Sequence, residues 1–200
     1  METVQPKWAV LTRPIRTFIA VPIPEAVKGR IADLLQGLVS TGADVKWVRV
    51  DAVHLTLKFL GDVERERISA VTGAVRRAVS GFPKTAVHLA GTGAYPDIRR
   101  PRVLWVGVAE GSDRLRSLAE KVDAALAGDG FERETRPFSA HLTLGRVRSP
   151  RGVADAVSRM REANWDGGVF EADTVAVMQS DLQRTGAVYT ALATIPLQGS

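Results

Sequence analysis

The tetrapeptide His-Leu-Thr-Leu occurs twice in this chain, at residues 54–57 and at residues 141–144. Because side chains alternate between the two faces of a β-strand, each copy places an imidazole beside a hydroxyl and points its leucines the other way. Histidine has an unperturbed pKa of about 6.5, so one imidazole can accept a proton while another donates one near neutral pH. Two such strands facing each other would form an acid–base site suited to cleaving a phosphodiester.

The repeated motif supplies four candidate site residues. His54 and His141 are predicted to be catalytic, and the hydroxyls of Thr56 and Thr143 are predicted to bind phosphate oxygens. A single His-x-Thr on a strand is more often part of a polar surface. Here, however, only 3 of 200 residues are histidine, and two of them hold the same place in a repeated tetrapeptide, which favours a site. His88 has no matching threonine and is expected to be a strand or surface histidine.

Other chemistries find little support in the residues. Zinc needs three or four ligands, and the nearby Asp51 and Asp62 lie outside the alternating face of the first motif, so no metal site is predicted. The chain has no cysteine, which excludes a disulfide framework, a thiolate metal site and a cysteine nucleophile. No serine stands in a Gly-x-Ser-x-Gly elbow, which argues against serine-type acyl transfer.

The elements that must position the two motifs follow from hydrophobic periodicity. A strand, an amphipathic helix and a His-x-Thr strand are predicted over residues 16–60, and the same order recurs over residues 103–147. This spacing is too long for a solenoid and indicates two fused lobes. Further predicted elements are a helix over residues 64–79, a strand over 85–90, a loop over 91–101, an amphipathic segment ending at 163, and β-rich stretches over 169–178 and 187–195.

Composition sets the general class of protein. With 200 residues, 45% of them hydrophobic and 24% charged, the chain is long enough for one globular domain with its own core. A single domain is predicted over residues 14–197, with a flexible N-terminal extension over 1–13.

The net charge of +5 favours a polyanionic partner. Arg99, Arg100 and Arg102 are expected to form a solvated loop. Because no signal peptide or membrane span is recognised, we expect a cytoplasmic protein without a membrane partner. We also expect it to be a monomer.

Six stretches of the chain match one known group of proteins. They are residues 16–22, 53–61, 101–107, 141–146, 180–182 and 186–189. In these stretches the chain resembles the 2H phosphoesterase superfamily, and in particular its RNA 2′,3′-cyclic phosphodiesterases, which are also called LigT-like proteins or 2′-5′ RNA ligases. The resemblance implies an α+β, bilobal fold, in which two pseudo-symmetric lobes of antiparallel sheet with outer helices surround a central cleft.

The resemblance also implies an activity that uses no metal or organic cofactor. The implied reaction is hydrolysis of the terminal 2′,3′-cyclic phosphate of RNA to a 2′-phosphomonoester, together with the reverse 2′-5′ ligation. His54 corresponds to the histidine that acts as an acid toward the ribose 3′ oxygen, and His141 to the one that activates water. Thr56 and Thr143 correspond to phosphate-contacting hydroxyls. From the residues alone, the two histidines are interchangeable.

Three further residues are candidates for the same site. Arg146 stands where the family often has a phosphate-binding arginine, although an ideal strand would turn it away from His141; a bulge at Gly145 would re-aim it. Lys58 has the parity to reach the cleft and bind phosphate, with a solvated strand lysine as the alternative. Tyr95 falls in a loop where relatives carry an aromatic ring that stacks on a base, with a loop anchor as the alternative.

Two other functions remain open at this point. The same histidines could serve a phosphodiesterase acting on a small cyclic nucleotide or a cyclic sugar phosphate. A non-catalytic RNA-binding module of the same fold is the second alternative, and the intact motifs argue against it. RNA with 2′,3′-cyclic phosphate ends, or a related nucleotide, is the predicted partner.

Overall fold

Two antiparallel β-sheets, one of four strands and one of five, hold the two histidine motifs in the structure, a computed structural model that describes residues 13–183 and 186–198. The predicted N-terminal extension therefore lies outside the described residues, apart from Arg13. No helix within the described ranges is long and apolar enough to cross a membrane.

The described residues form nine strands and four α-helices. The strands are β1 (Ile15–Pro22), β2 (Val45–Trp47), β3 (His54–Val63), β4 (Thr85–Tyr95), β5 (Val103–Glu110), β6 (His141–Val147), β7 (Asp166–Ala172), β8 (Thr174–Gln183) and β9 (Gly186–Pro196). The helices are α1 (Glu25–Val39), α2 (Ile68–Val79), α3 (Ser112–Gly128) and α4 (Val153–Glu162), and 3₁₀ turns occupy Val50–Ala52 and Arg65–Arg67.

Each sheet carries one of the motifs. The strand order is β3-β1-β8-β9 in the first sheet and β2-β6-β5-β4-β7 in the second, so each motif strand lies beside the first strand of its own repeat. Strands β3 and β6 belong to different sheets but contact each other. This arrangement confirms the predicted α+β bilobal fold with two pseudo-symmetric lobes.

Helices α1 and α3 cross from one lobe to the other. Helix α3 follows β5 in the second sheet but packs on β3 and α2, whereas α1 follows β1 in the first sheet but packs on β7 and α4. The apolar side of α1 includes Ile31 and Leu38, both fully buried. Each such burial contributes about 1.5–3 kcal/mol. Together with β2, which follows α1 yet pairs with β6, these crossings join both lobes through one continuous core.

Candidate active site

A cleft opens where β3 meets β6, and it has a volume of about 410 Å³. The structure brings four predicted residues together on its walls: His54, Thr56, His141 and Thr143. A cavity of this size is typical of a small-ligand site.

Strand alternation explains why these four side chains face the cleft. The residues between and after them are the motif leucines, which lie in the core with at most 6% of their surface exposed. They are Leu55, Leu57, Leu142 and Leu144. Turning either motif over would expose two leucines to water and bury an imidazole and a hydroxyl, so the hydrophobic effect fixes which side chains face the cleft.

Both imidazole rings are held by the same backbone contact. Nδ1 of His54 lies 2.9 Å from the carbonyl oxygen of Ala52, and Nδ1 of His141 lies 2.8 Å from the carbonyl oxygen of Ser139. A carbonyl only accepts, so Nδ1 carries the proton in each ring. Nε2 forms no hydrogen bond with any described residue. In both histidines, Nε2 is therefore the atom free to exchange a proton with a ligand.

Aromatic side chains fix the first ring. Tyr189 meets His54 edge-on, with ring centroids 5.1 Å apart and an interplanar angle of 86°. The ring centroid of Phe18, on β1, lies 4.6 Å from that of His54. Burial raises the pKa of Tyr189, although Arg146 and Arg16 oppose the shift, so its hydroxyl stays protonated at neutral pH. Neither aromatic residue was predicted to belong to the site.

The second ring has an equivalent arrangement. Tyr95 meets His141 edge-on at 5.0 Å and 81°, and Trp105 lies 6.5 Å from the same ring. The Tyr95 hydroxyl lies 2.9 Å from Oγ of Ser139, whose carbonyl holds the His141 ring. Tyr95 is the last residue of β4 and does not lie in a loop as predicted. Its ring supports His141 and is not among the residues that line the cleft.

The surroundings of His54 affect its protonation. Burial lowers the pKa of His54 and outweighs the opposite effect of its hydrogen bond to Ala52. His54 therefore favours the neutral imidazole in the free protein. An anionic ligand in the cleft would stabilise the protonated form and raise the pKa again.

This behaviour can be observed by NMR. We expect the His54 ring to titrate below 6.5 in the free protein, and its pKa to rise when a nucleoside 2′-monophosphate is added, because the phosphate charge favours the imidazolium. Proton-detected ¹⁵N spectra should also show the proton on Nδ1 in the neutral form. Spectra of His54→Asn assign the resonance. A pKa above 6.5 in the free protein, or no change on adding phosphate, would contradict this picture.

Arg146 reaches the cleft because β6 contains a bulge. Thr143 and Gly145 pair with consecutive residues of β5, so Leu144 is an extra residue. The bulge buries Leu144 and Gly145 in succession and returns Arg146 to the face that carries His141. The predicted bulge is therefore present, and Arg146 lines the cleft together with the motif.

Gly145 has a packing reason to be glycine. A Cβ atom at this position would lie 2.5 Å from Cγ1 of Val45 and 2.9 Å from Cε3 of Trp47, both on β2. The absence of a side chain lets β2 pair closely with β6, which brings Lys46 opposite Arg146. Both of these cations line the cleft.

Lys58 does not reach the cleft, and the parity argument for it fails. Thr56 and Lys58 pair with consecutive residues of β1, so Leu57 is the extra residue of a bulge like that in β6. Leu57 and Lys58 are both buried as a result, and Phe59 takes the cleft face. Strict alternation along β3 would instead put Phe59 on the same face as Leu55 and Leu57.

The ammonium group of Lys58 is occupied in the protein interior. Its Nζ donates to Oδ1 of Asp123 at 2.5 Å and to the carbonyl oxygen of Glu132 at 2.6 Å. Nε of Arg133 lies 2.8 Å from the other oxygen of Asp123. Lys58 therefore joins β3 to α3 and to the segment that follows α3, and its hydrogen bonds are directed away from the cleft.

The cleft contains cations that the sequence analysis missed. Besides Arg146, its described lining includes Arg16, Lys46 and Arg49, and it includes no carboxylate. Arg49 is paired with Asp51 outside the cleft, and the guanidinium of Arg16 lies 4.5 Å from the centre of the Phe59 ring. Arg16 shares its strand parity with Phe18, but Phe18 was itself not predicted to belong to the site, so this parity gave no signal. Lys46 could not be assigned to the cleft from the sequence, because its position depends on the pairing of β2 with the other lobe.

Comparison with known proteins gives a consistent result. The sequence model of the LigT like Phosphoesterase family matches twice, over residues 21–105 and 106–189, so each match contains one His-x-Thr motif. The chain is 36% identical to the RNA 2′,3′-cyclic phosphodiesterase of Aeropyrum pernix over 82% of this chain and 93% of that protein. It is 32% identical to the protein of the same name from Thermotoga maritima, over 92% of this chain and 97% of that protein. The crystal structure of TT0787 from Thermus thermophilus superposes with a TM-score of 0.77 at 27% identity, over 92% of this chain and 99% of that one.

Proposed function

Since the chain belongs to the LigT-like phosphoesterase family, we propose that it is an enzyme that hydrolyses the terminal 2′,3′-cyclic phosphate of RNA to a 2′-phosphomonoester. The observation that carries the proposal is the pair of imidazoles whose Nε2 atoms are free in one cationic cleft. The relatives named RNA 2′,3′-cyclic phosphodiesterase, which match over nearly their whole length, support the substrate.

The proposed reaction needs one base and one acid. Nε2 of His141 takes a proton from water as the water oxygen attacks phosphorus. The bond between phosphorus and the ribose 3′ oxygen breaks, and Nε2 of His54 donates its proton to that oxygen. The products are a 2′-phosphomonoester and a 3′ hydroxyl, and proton exchange with solvent restores both histidines. With a ribose 5′ hydroxyl in place of water as the nucleophile, the same two proton transfers would form a 2′-5′ bond and release the 3′ hydroxyl. The assignment of the two roles follows the family resemblance.

The proposed division of labour requires the His54 ring to be protonated when the substrate is bound. Burial favours neutral His54, so the substrate phosphate must supply the negative charge that keeps its ring protonated as an acid. In the proposed reaction, Thr56 and Thr143 donate to the non-bridging oxygens, and Arg146 and Lys46, which line the same cleft, balance the charge that builds there. The aromatic ring that stays exposed in the cleft is Phe59, which is 48% exposed and can contact a base.

The proposed working unit is one chain. Each lobe contributes one histidine, so catalysis needs the whole domain predicted over residues 14–197, and one chain supplies both histidines. We therefore propose a monomer as the active form and, given an RNA substrate, the cytoplasm as its location.

Loss of Arg146 should weaken transition-state binding. We expect Arg146→Gln to lower kcat/KM on a dinucleotide with a 2′,3′-cyclic phosphate by about 10²-fold, as removal of a donor from a developing oxyanion does in other enzymes. Arg146→Lys should recover part of the loss, because it keeps the charge but not the planar fork. Arg114→Gln, an exposed change on α3, is the control. An unchanged kcat/KM in Arg146→Gln would remove this residue from the site.

The substrate class can be tested directly. With a chelator present, the protein should turn over RNA and nucleosides that end in a 2′,3′-cyclic phosphate and leave 3′,5′-cyclic nucleotides intact. Turnover restricted to a cyclic sugar phosphate would favour the second phosphodiesterase function. RNA binding without turnover would indicate a non-catalytic module. Restoration of activity only by added metal would contradict the two-histidine reaction.

A further inference from the structure

A second concavity, about 1140 Å³ in volume, lies between the loop that joins β4 to β5, the end of β6, and helix α4. We call it the arginine groove because five exposed arginines line it: Arg99, Arg100, Arg102, Arg148 and Arg161. No acidic residue is among its described lining residues. The groove is thus a concentrated positive surface outside the cleft.

The guanidinium groups of the arginine groove have no carboxylate partner among the described residues, and the Asp97 carboxylate in the same loop accepts from the backbone N–H groups of Arg99 and Arg100. None of the five guanidinium groups forms an ion pair with a described residue, whereas Arg49, Arg77, Arg116 and Arg133 elsewhere each meet an aspartate. Five like charges held together repel one another, and a bound polyanion would relieve that repulsion. The loop arginines were predicted to be merely solvated, but the fold brings them opposite Arg148 and Arg161.

The floor of the groove differs from its rim. Val147, Val153 and Val157 contribute apolar surface, and Ile98 is 49% exposed at its edge. Apolar surface bordered by guanidinium groups suits a strand of nucleotides, in which phosphates alternate with the flat faces of bases and riboses. A highly charged acidic peptide would leave this apolar surface without a complement.

The arginine groove adjoins the cleft along β6. Arg146 lines the cleft and Arg148 lines the groove, and two strand positions span about 7 Å. The loop that supplies Arg99 and Arg100 begins directly after Tyr95, which packs on His141. A chain leaving the cleft past Arg146 would therefore enter the groove.

We propose that the arginine groove binds the RNA strand on the 5′ side of the cyclic phosphate, with its phosphates on the five guanidinium groups. The inference rests on the proposed function, because the cleft fixes the end of that strand. Contacts of this kind go to the backbone, so they raise affinity for any sequence and make binding depend on salt. The enzyme then prefers long single strands to mononucleotides.

The test compares two substrates in one variant. Arg99→Gln/Arg148→Gln/Arg161→Gln should lower kcat/KM at least about tenfold on RNA of about ten nucleotides with a cyclic phosphate end, since each change removes a phosphate contact. It should leave kcat/KM on cytidine 2′,3′-cyclic phosphate within about twofold, because that substrate does not reach the groove. Arg65→Gln/Arg76→Gln/Arg114→Gln removes the same charge from exposed positions outside both concavities and controls for net charge.

Binding measurements give an independent readout. For RNA of the same length ending in a 2′-phosphate, the slope of log Kd against log salt should decrease by roughly 2 in the groove variant, at about 0.7 per phosphate contact. Three results would overturn the proposal: unchanged kcat/KM on the long RNA, an equal loss on cytidine 2′,3′-cyclic phosphate, or competition by polyglutamate as strong as by RNA. If the wild type cleaves neither substrate, the proposed function fails, and the salt slope still tests the groove.

Discussion

His54→Ala and His141→Ala should each lower kcat on RNA with a 2′,3′-cyclic phosphate end by about 10²–10⁴-fold, the usual contribution of a well-placed proton transfer. The two effects should not add fully in the double variant, because base and acid act in the same step. The measurement is steady-state turnover with a chelator present, together with circular dichroism to confirm the fold.

Asparagine variants distinguish the loss of the reactive Nε2 atom from the loss of the hydrogen bond that holds the ring. In His54→Asn and His141→Asn, the side-chain amide can still donate to the carbonyl oxygens of Ala52 and Ser139, but nothing replaces Nε2. These variants should lose as much activity as the alanine variants. His88→Ala is the matched control, because His88 pairs with Asp166 at 2.8 Å on the surface and does not line the cleft. Near-normal kcat in either asparagine variant would refute a role for that Nε2.

Asp123→Ala should lower the free energy of unfolding by about 3–5 kcal/mol, because it leaves the ammonium group of Lys58 buried without its counter-charge. The two side chains are 5% and 11% exposed. Asp123 also accepts a hydrogen bond from the backbone N–H of Glu134 at 3.0 Å. Lys58→Met/Asp123→Leu removes both charges and should recover much of the loss. Urea unfolding followed by tryptophan fluorescence measures each change.

The effect of Asp123→Ala should depend on pH. Burial acts to raise the pKa of Asp123, but the hydrogen bonds from Lys58 and Glu134 and the charges of Lys58 and Arg133 lower it overall. A carboxyl whose pKa is lower in the folded state stabilises the fold above its unfolded pKa of about 3.9 and loses that contribution as pH falls toward the folded value. The difference in the free energy of unfolding between wild type and Asp123→Ala should therefore become smaller below about pH 4. A difference of under about 1 kcal/mol at neutral pH would contradict the buried pair.

The motif faces could be predicted from sequence because strand alternation is a local rule. It placed His54, Thr56, His141 and Thr143 on the polar face, and the structure sets all four on one cleft. Alternation failed two residues further along β3, where a bulge at Leu57 reversed the sides expected for the residues after it. A bulge is a property of two paired strands, so one strand's residue pattern does not reveal it.

Long-range pairing accounts for most of what the sequence analysis missed. β2 is only three residues long, and its place beside β6 depends on helix α1 crossing to the other lobe. The β-rich stretch over residues 169–178 belongs to two strands in different sheets, since β7 ends at Ala172 and β8 begins at Thr174. Tyr189 contacts His54 although β9 and β3 lie at opposite edges of the first sheet, so the contact depends on the arrangement of all four strands and not on a local pattern.

The position of the phosphate in the product tests the central claim most directly. Wild-type protein should be incubated with chelator and an oligonucleotide that ends in a 2′,3′-cyclic phosphate, and the product examined by ³¹P NMR. The two-histidine reaction with His54 protonating the 3′ oxygen predicts a 2′-phosphomonoester alone. A 3′-phosphomonoester, or an intact cyclic phosphate after prolonged incubation, would contradict it.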